Sequence, residues 1–456
     1  MSQAWEGYLV DHDEELIDGL VDFLRIPSVS ALPEHEADVG RAAEWVAARL
    51  RRIGVPEVAL LPTERNPVVY GHWHVADDQP TAVIYGHYDV QPPDPIDLWD
   101  SPPFAPEVRD GRLYARGASD DKGNFFASLA AVEALVRTQG APPINLTFFV
   151  EGEEEIGSPS LAPFVRAERE RFACDFVISA DGGMHGPDAP SLTVASKGLA
   201  ACQVDLRTNR SDLHSGMFGA AAPNAVQALV QLVATFHTPD GRVAIDGFYD
   251  QVRELSPAAR EEIAAVPFDD EAFRAELGTA SLWGEPGYTT LERRWARPTL
   301  DLNGVWGGFM GEGTKTVTPA EAHAKITCRL VPDQEPEAII DLIERHVARH
   351  CPPGAQATVR RFPGSARPFA VRPDHPALGT ALEVLRELYG TEPLVIRTGG
   401  TVPVAALFQE ELGADMIFFA WGMPDNQIHA PNESMRLDDL RQAMRGYGAY
   451  LTALAR

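Results

Sequence analysis

Five side chains able to bind a metal, His87, Asp120, Glu155, Asp181 and His429, stand in separate segments of this 456-residue chain, and a further carboxylate, Asp89 or Glu154, lies beside two of them. That combination points to two-metal hydrolysis. Zinc and similar ions accept imidazole nitrogen and carboxylate oxygen, and two ions about 3.5–4 Å apart need one carboxylate that touches both. Asp120 is the natural bridge. In His87-Tyr88-Asp89 the outer two side chains share one side of an extended chain. Asp89 is thereby placed to hold the imidazole from behind and fix its tautomer. Neighbouring Glu154 and Glu155 must point different ways, so one binds metal while the other stays free as a general base for the attacking water.

The elements that must position these groups are legible as apolar runs. His87 follows TAVIY and opens HYDVQP, Glu154 and Glu155 follow INLTFFV within EGEEEIGS, and Asp181 follows FVISA. Runs of this length read as buried strands, and open α/β sheets carry their sites at strand ends. Leu16, Ile17, Leu20, Val21 and Leu24 recur at helical spacing, and a second helix-like run holds Trp45, Val46 and Leu50. Helix and strand then alternate up to Asp181, the pattern of a mostly parallel sheet covered on both faces. Glu151 and Glu153 are expected to be structural or exposed, and His72, His74 and His185 incidental.

After about residue 195 the pattern changes. Strand GLAACQVDLR, a helix beginning near Pro223, strands TLDLNGVW and AHAKITCRLV, helix EPEAIIDLIERHVARH and strand QATVRRF follow one another. This is the β-α-β-β-α-β order of a ferredoxin-like unit. Residues from about Asp240 to Arg297 interrupt it without a readable pattern. Alternation returns with LVIRTGG and DMIFFAWG. The expected division is a catalytic domain of residues 1–196 and 366–456 around an inserted domain of residues 197–365, in keeping with a length beyond what one core fills. The glycines of GGFMGEG, near 307 to 313, read as a turn, because no lysine-serine or lysine-threonine pair completes a phosphate loop.

Composition narrows the partners. A formal net charge of -27 disfavours nucleic acid and anionic membranes, both of which attract basic surfaces. No run of about 18 apolar residues suggests a membrane span. The N-terminal stretch MSQAWEGYLVDHDEELIDGLV has acids where a signal peptide has a basic region, so a cytoplasmic location is expected. Cys174, Cys202, Cys328 and Cys351 lack ligand-like spacing and read as buried thiols.

The motifs GHYDVQP, GASDDKG, EGEEEIGS, ISADGG, DLHSG, CRLVP, TGGTVPV and IHAPNE, in this order and over nearly the whole chain, resemble those of the M20 metallopeptidases, and most of all their cytosolic dipeptidase and carnosinase-like branch. The resemblance implies an α/β, mostly parallel-sheet di-metal peptidase domain with an inserted α+β ferredoxin-like lid and dimerisation domain. It implies two divalent ions per subunit, zinc with manganese or cobalt as substitutes. His87 and Asp181 would bind different ions, Asp120 would bridge, and Glu155 and His429 would add one ligand to each ion. Glu154 would be the general base. A cis peptide after Asp120 is also implied, and aspartate at 181, where carboxypeptidases and deacylases of the family often carry glutamate, tilts the choice toward dipeptides.

The lid residues follow from the same resemblance. His214 would reach across a homodimer to stabilise the oxyanion. Arg329 and Thr316 would bind the substrate backbone or its carboxylate, a task that suits a guanidinium, with the amides of Gly399, Gly400 and Thr401 beside them. The expected activity is cleavage of dipeptides or short peptides with a free C-terminal carboxylate. Deacylation of N-acyl amino acids or carboxypeptidase action is the alternative within the family. A non-catalytic metal-binding protein is the distant one, disfavoured because Glu154 is not needed as a ligand.

Overall fold

The computed structural model describes residues 3–455; Met1 and Ser2, where the acidic N-terminal stretch begins, and Arg456 lie outside the described residues. The chain forms two compact units. The first comprises Met1–Val194, Val371–Ile396 and Leu407–Arg456, and the second Ala195–Ala370 and Arg397–Ala406. The sequence division assigned all of 366–456 to the first domain. Residues 397–406 instead pack within the second unit, where the Gly400 carbonyl accepts the Lys197 N–H at 2.9 Å and the Thr401 hydroxyl accepts from Arg329 at 2.6 Å.

The first unit is built on a six-stranded sheet in the order Glu57–Leu61, Val68–Trp73, Asn145–Glu151, Thr81–His87, Phe176–Ser179, Asp415–Phe418. The last four strands run parallel, and the first two are antiparallel additions at one edge. Asn145–Glu151 is buried along its whole length, as a strand covered on both faces must be. One cover is helix Lys122–Gln139, which is buried on nearly every side over its first fourteen residues and packs against the C-terminal helix Leu437–Leu454. A small antiparallel sheet of Glu107–Arg109, Arg112–Tyr114 and Ser434–Arg436 ties the C-terminal segment to the loop before Asp120.

The second unit has the ferredoxin-like order. Its four antiparallel strands lie as Thr299–Gly307, Glu321–Leu330, Gly198–Arg207, Gln356–Arg361, with helices Ala225–Val233 and Pro336–His350 closing a core that includes Cys202, Leu229, Ile326, Cys328 and Ile343. The first helix begins at Ala225, near Pro223 as expected, although the proline precedes the cap instead of standing in the first turn. Asn224 sets the start, because its side chain accepts the N–H groups of Val226 and Gln227 and so satisfies donors the helix cannot. The stretch from 240 to 297 contains three short helices, Pro257–Ala264, Asp270–Leu277 and Thr290–Ala296. All four cysteines are free; Cys202 and Cys328 are buried, whereas Cys174 and Cys351 are only partly so, which corrects the expectation of four buried thiols. Among the described residues no helix is long and apolar enough to cross a membrane.

Two glycines let the elements close around the future site. A Cβ on Gly86 would lie 2.7 Å from the Phe125 ring and 2.8 Å from Asp121 Oδ2. A Cβ on Gly123, at the start of the buried helix, would lie 1.9 Å from the Ala118 carbonyl oxygen. That obstacle is backbone, which cannot rotate away. Gly123→Ala is therefore expected to cost about 1–3 kcal/mol or more, as overpacked buried positions do. Thermal or denaturant unfolding measures this, and wild-type stability would contradict the packing described.

Candidate metal centre

The five expected ligands converge within the first unit. His87 ends its strand, Glu155 lies in the short turn after Asn145–Glu151, and Asp181 lies two residues beyond Phe176–Ser179. All three therefore sit at the carboxyl ends of parallel strands, where loops diverge and leave a crevice. Asp120 precedes the buried helix Lys122–Gln139, and the Asp120–Asp121 peptide is cis. His429 reaches the same place from the C-terminal segment with a left-handed backbone, φ 59°.

Two groups of three result, His87 with Asp120 and Asp181, and Asp120 with Glu155 and His429, the potential ligand atoms of each lying within 4.8 Å of one another. Asp120 belongs to both. Its Oδ1 lies 3.2 Å from His87 Nε2 and its Oδ2 lies 2.8 Å from His429 Nε2, while Glu155 Oε2 lies 3.3 Å from the same His429 nitrogen. Ligand atoms about 2.0–2.1 Å from a tetrahedral zinc are roughly 3.3 Å apart. The separations lie near that edge, and each group offers one imidazole and two carboxylates to an ion. His87 and Asp181 thus share one group and Glu155 and His429 the other, which corrects the expectation that the members of each pair bind different ions. Glu154 belongs to neither group.

Asp89 is arranged differently from the expectation. The nearest acceptor to His87 Nδ1 is the Asp89 carbonyl at 3.0 Å, with carboxylate Oδ1 at 3.5 Å. The carboxylate is engaged elsewhere, taking the Ser30 hydroxyl at 2.6 Å and the N–H groups of Glu154 and Glu155 at 3.3 and 3.1 Å. It thus orients the glutamate turn as much as the imidazole. Both contacts to His87 leave Nε2 as the nitrogen facing Asp120.

Without metal the cluster holds protons. Burial, reinforced by Asp181 and Glu155, raises Glu154 to about 9 against the opposing pull of His87. Burial and then Asp120 raise Asp181 to about 6. Hydrogen bonds to Asp120 and Glu155 raise His429 to about 10. Burial opposes ionisation of Asp120 too, but its two imidazole partners prevail and hold it well below the carboxylate range. A buried set with this excess of carboxylates is suited to cations.

Comparison with known proteins agrees with the geometry. Residues 83–453 match the peptidase family described as M20/M25/M40. The chain is 31% identical to the Cys-Gly metallodipeptidase dug1 of Schizosaccharomyces pombe, covering 97% of this chain and 96% of that protein. It is 28% identical to the Beta-Ala-His dipeptidase of Homo sapiens, covering 98% and 92%. Among solved structures, an M20 family metallo-carboxypeptidase from Sulfolobus solfataricus superposes with a TM-score of 0.80 at 32% identity, covering 97% of this chain and 99% of that one. The chain belongs to peptidase family M20/M25/M40.

M20 membership makes the chain a metallopeptidase of a class that works with two metal ions. The remaining expected residues lie in the second unit. His214 forms a two-residue strand with Leu213 against Val317–Thr318; it is exposed, and its Nδ1 accepts the Gly216 N–H at 3.1 Å, which places the neutral ring's proton on Nε2. Thr316 adjoins it, its carbonyl accepting the Ser215 N–H. Arg329, on the four-stranded sheet, donates to Thr401, next to Gly399 and Gly400. Glu151 and Glu153 are buried and structural: Glu151 accepts the Tyr85 hydroxyl, and Glu153 accepts the N–H groups of Asn66 and Ser160.

Two residues near the M20 centre were not anticipated. Gln91 donates to Glu155 Oε2 at 2.8 Å, and Glu433 accepts the Asp120 N–H. Both lie inside the motifs GHYDVQP and IHAPNE; glutamine is not a usual metal ligand, and the Glu433 carboxylate is taken up by peptide N–H groups.

The shifts predict a pH response. Glu154 and Asp181 have folded values above their ordinary ones, so they hold more protons in the metal-free folded state than in the unfolded chain from about pH 4 to 7. Above that window Lys122 and Lys197, lowered to about 7 by burial, act in the opposite sense. The stability of the metal-free state should fall as pH rises through that window. Saturating zinc or manganese should displace those protons and remove the decline. Unfolding midpoints of metal-free protein that hold steady or rise between pH 5 and 7 would contradict this.

Proposed function

We propose that this protein is a dipeptidase that hydrolyses the peptide bond of dipeptides or short peptides with a free C-terminal carboxylate. The observation that carries the reading is the pair of ligand groups sharing Asp120, with Glu154 beside them and in neither. The dipeptide preference is supported by the relatives whose names specify dipeptidases, at about 30% identity over nearly their whole length. His87 and Asp181 would hold one ion and Glu155 and His429 the other, with Asp120 shared and zinc as the metal.

The ions would supply Lewis acidity, polarising the scissile carbonyl and making the attacking water acidic. Glu154 takes the proton of that water and returns it to the leaving amine. It is partly buried, and Asp89 accepts its peptide N–H and so helps fix the turn that carries it. His214 offers its Nε2–H to the oxyanion, from the partner protomer of a homodimer formed through the second unit. Arg329 and Thr401, already hydrogen-bonded to one another, take the substrate carboxylate with Thr316 and the amides of Gly399 and Gly400. The reaction takes place in the cytoplasm, with no nucleic acid or membrane partner.

The 32% identity to a metallo-carboxypeptidase favours a second reading, release of a C-terminal residue from substrates without a free amine. The two are separated by offering one dipeptide free, N-acetylated and C-amidated to the zinc- or manganese-loaded enzyme. Cleavage of the free form alone is expected; equal or faster cleavage of the N-acetylated form establishes the carboxypeptidase or deacylase instead. Glu154→Gln should retain both metals and lose about 10²–10⁴-fold in kcat. Substantial residual turnover with metals bound removes Glu154 as the base.

A further inference from the structure

The loop that delivers Asp120 has no regular structure of its own, yet it must hold a charged carboxylate in a buried site. Residues 116 to 120 run between the short strand Arg112–Tyr114 and the helix Lys122–Gln139. Their peptide donors cannot be satisfied by that helix, whose N-cap is Asp121. Arg116 and Ala118 donate to the carbonyls of Pro103 and Ala115, and the other three donors are satisfied by one side chain. Glu433 Oε1 accepts the N–H groups of Ser119 and Asp120 at 2.9 and 3.0 Å, and its Oε2 accepts Gly117 N–H at 2.9 Å and Arg116 Nη1 at 2.7 Å. Glu433 is fully buried.

The origin of this carboxylate matters as much as its contacts. Glu433 lies four residues beyond His429, in the segment whose main chain also returns to the loop: the Glu433 carbonyl accepts the Ala115 N–H at 3.1 Å, and Asn426, whose side chain donates to the Ser119 hydroxyl at 2.8 Å, accepts the Ser434 N–H at 3.0 Å. The loop carrying the shared ligand and the segment carrying His429 are therefore one hydrogen-bonded body. An anion accepting three peptide N–H groups and a guanidinium is held far more firmly than a neutral acceptor would be.

We propose that Glu433 is a positioning residue of the metal centre: it fixes Asp120 relative to His429, so that both ligand groups keep the spacing two ions require, without itself touching metal or substrate. Outer partners of metal ligands typically carry about 10–100-fold in metal affinity or activity. The inference rests on the two-metal reading above.

The test is Glu433→Gln in the full chain, read by metal titration of the stripped protein, by the visible spectrum of the cobalt-substituted form and by steady-state kinetics. Glu133→Gln serves as the control, since Glu133, on the helix Lys122–Gln139, is a comparably buried carboxylate paired with Arg49 of the helix Glu36–Ile53 and outside the site. The expected result is about 10–100-fold weaker binding of the ions, an altered cobalt spectrum, and a fall in kcat with KM changed little; the control should lose only thermal stability. Wild-type affinity and spectrum in folded Glu433→Gln, with stability lost as in the control, overturns the proposal. If Glu433→Gln does not fold, Arg116→Gln, which leaves the three peptide donors bonded, must show the same metal and spectral effects at smaller amplitude, and their absence is equally decisive. Failure of the wild-type protein to bind two ions would instead refute the two-metal reading, before any variant is compared.

Discussion

The first unit is organised around one carboxylate that must face two ways. Asp120 presents Oδ1 to the group of His87 and Oδ2 to that of His429. A carboxylate in that position, crowded by Asp181, Glu155 and Glu154, is tolerable in a buried site only when cations or protons balance it. The raised values of Asp181, Glu154 and His429 express the same constraint: with no metal the cluster gathers protons instead. Much of the surrounding structure follows from the need to assemble these charges against their mutual repulsion.

The sheet supplies the rigid part of the answer. Four parallel strands end at one side, and three of the groups step off the ends of three adjacent strands. The other two ligands, Asp120 and His429, come from segments about three hundred residues apart in sequence. Glu433, Asn426 and the small antiparallel sheet join them. Asp89 does for Glu154 and Glu155 what Glu433 does for Asp120: a buried carboxylate accepts peptide N–H groups and thereby fixes a turn that carries chemistry. Anions used in this way add to the negative charge that the metals offset, which couples the folding of the site to its occupancy.

His87, Glu155 and Asp181 were legible because each lies just after an apolar run, Asp120 and His429 because their motifs resemble those of the family, and the ferredoxin-like order because its strands alternate cleanly. Pro223 marked the helix start to within two residues, because proline commonly stands at helix openings; Asn224, the next residue, had the capping chemistry. The three helices between 240 and 297 are each eight residues or fewer, too short for hydrophobic periodicity to speak, although Ser256, Asp269 and the Thr289 and Glu292 pair cap them. Residues 397–406 follow a strand-like run and so read as a continuation of the first domain; their membership of the second unit depends on contacts with Lys197 and Arg329, which no local pattern encodes. Glu433 escaped notice for a similar reason, since its partners are peptide groups distant in sequence.

The claim on which the account stands is that Asp120 is shared by two ions. Crystals of the zinc- or manganese-loaded protein, with anomalous diffraction collected at the metal edge, test it directly. Two peaks about 3.5–4 Å apart, one against each oxygen of Asp120, are the predicted result. A single peak, or two of which only one touches Asp120, would contradict it.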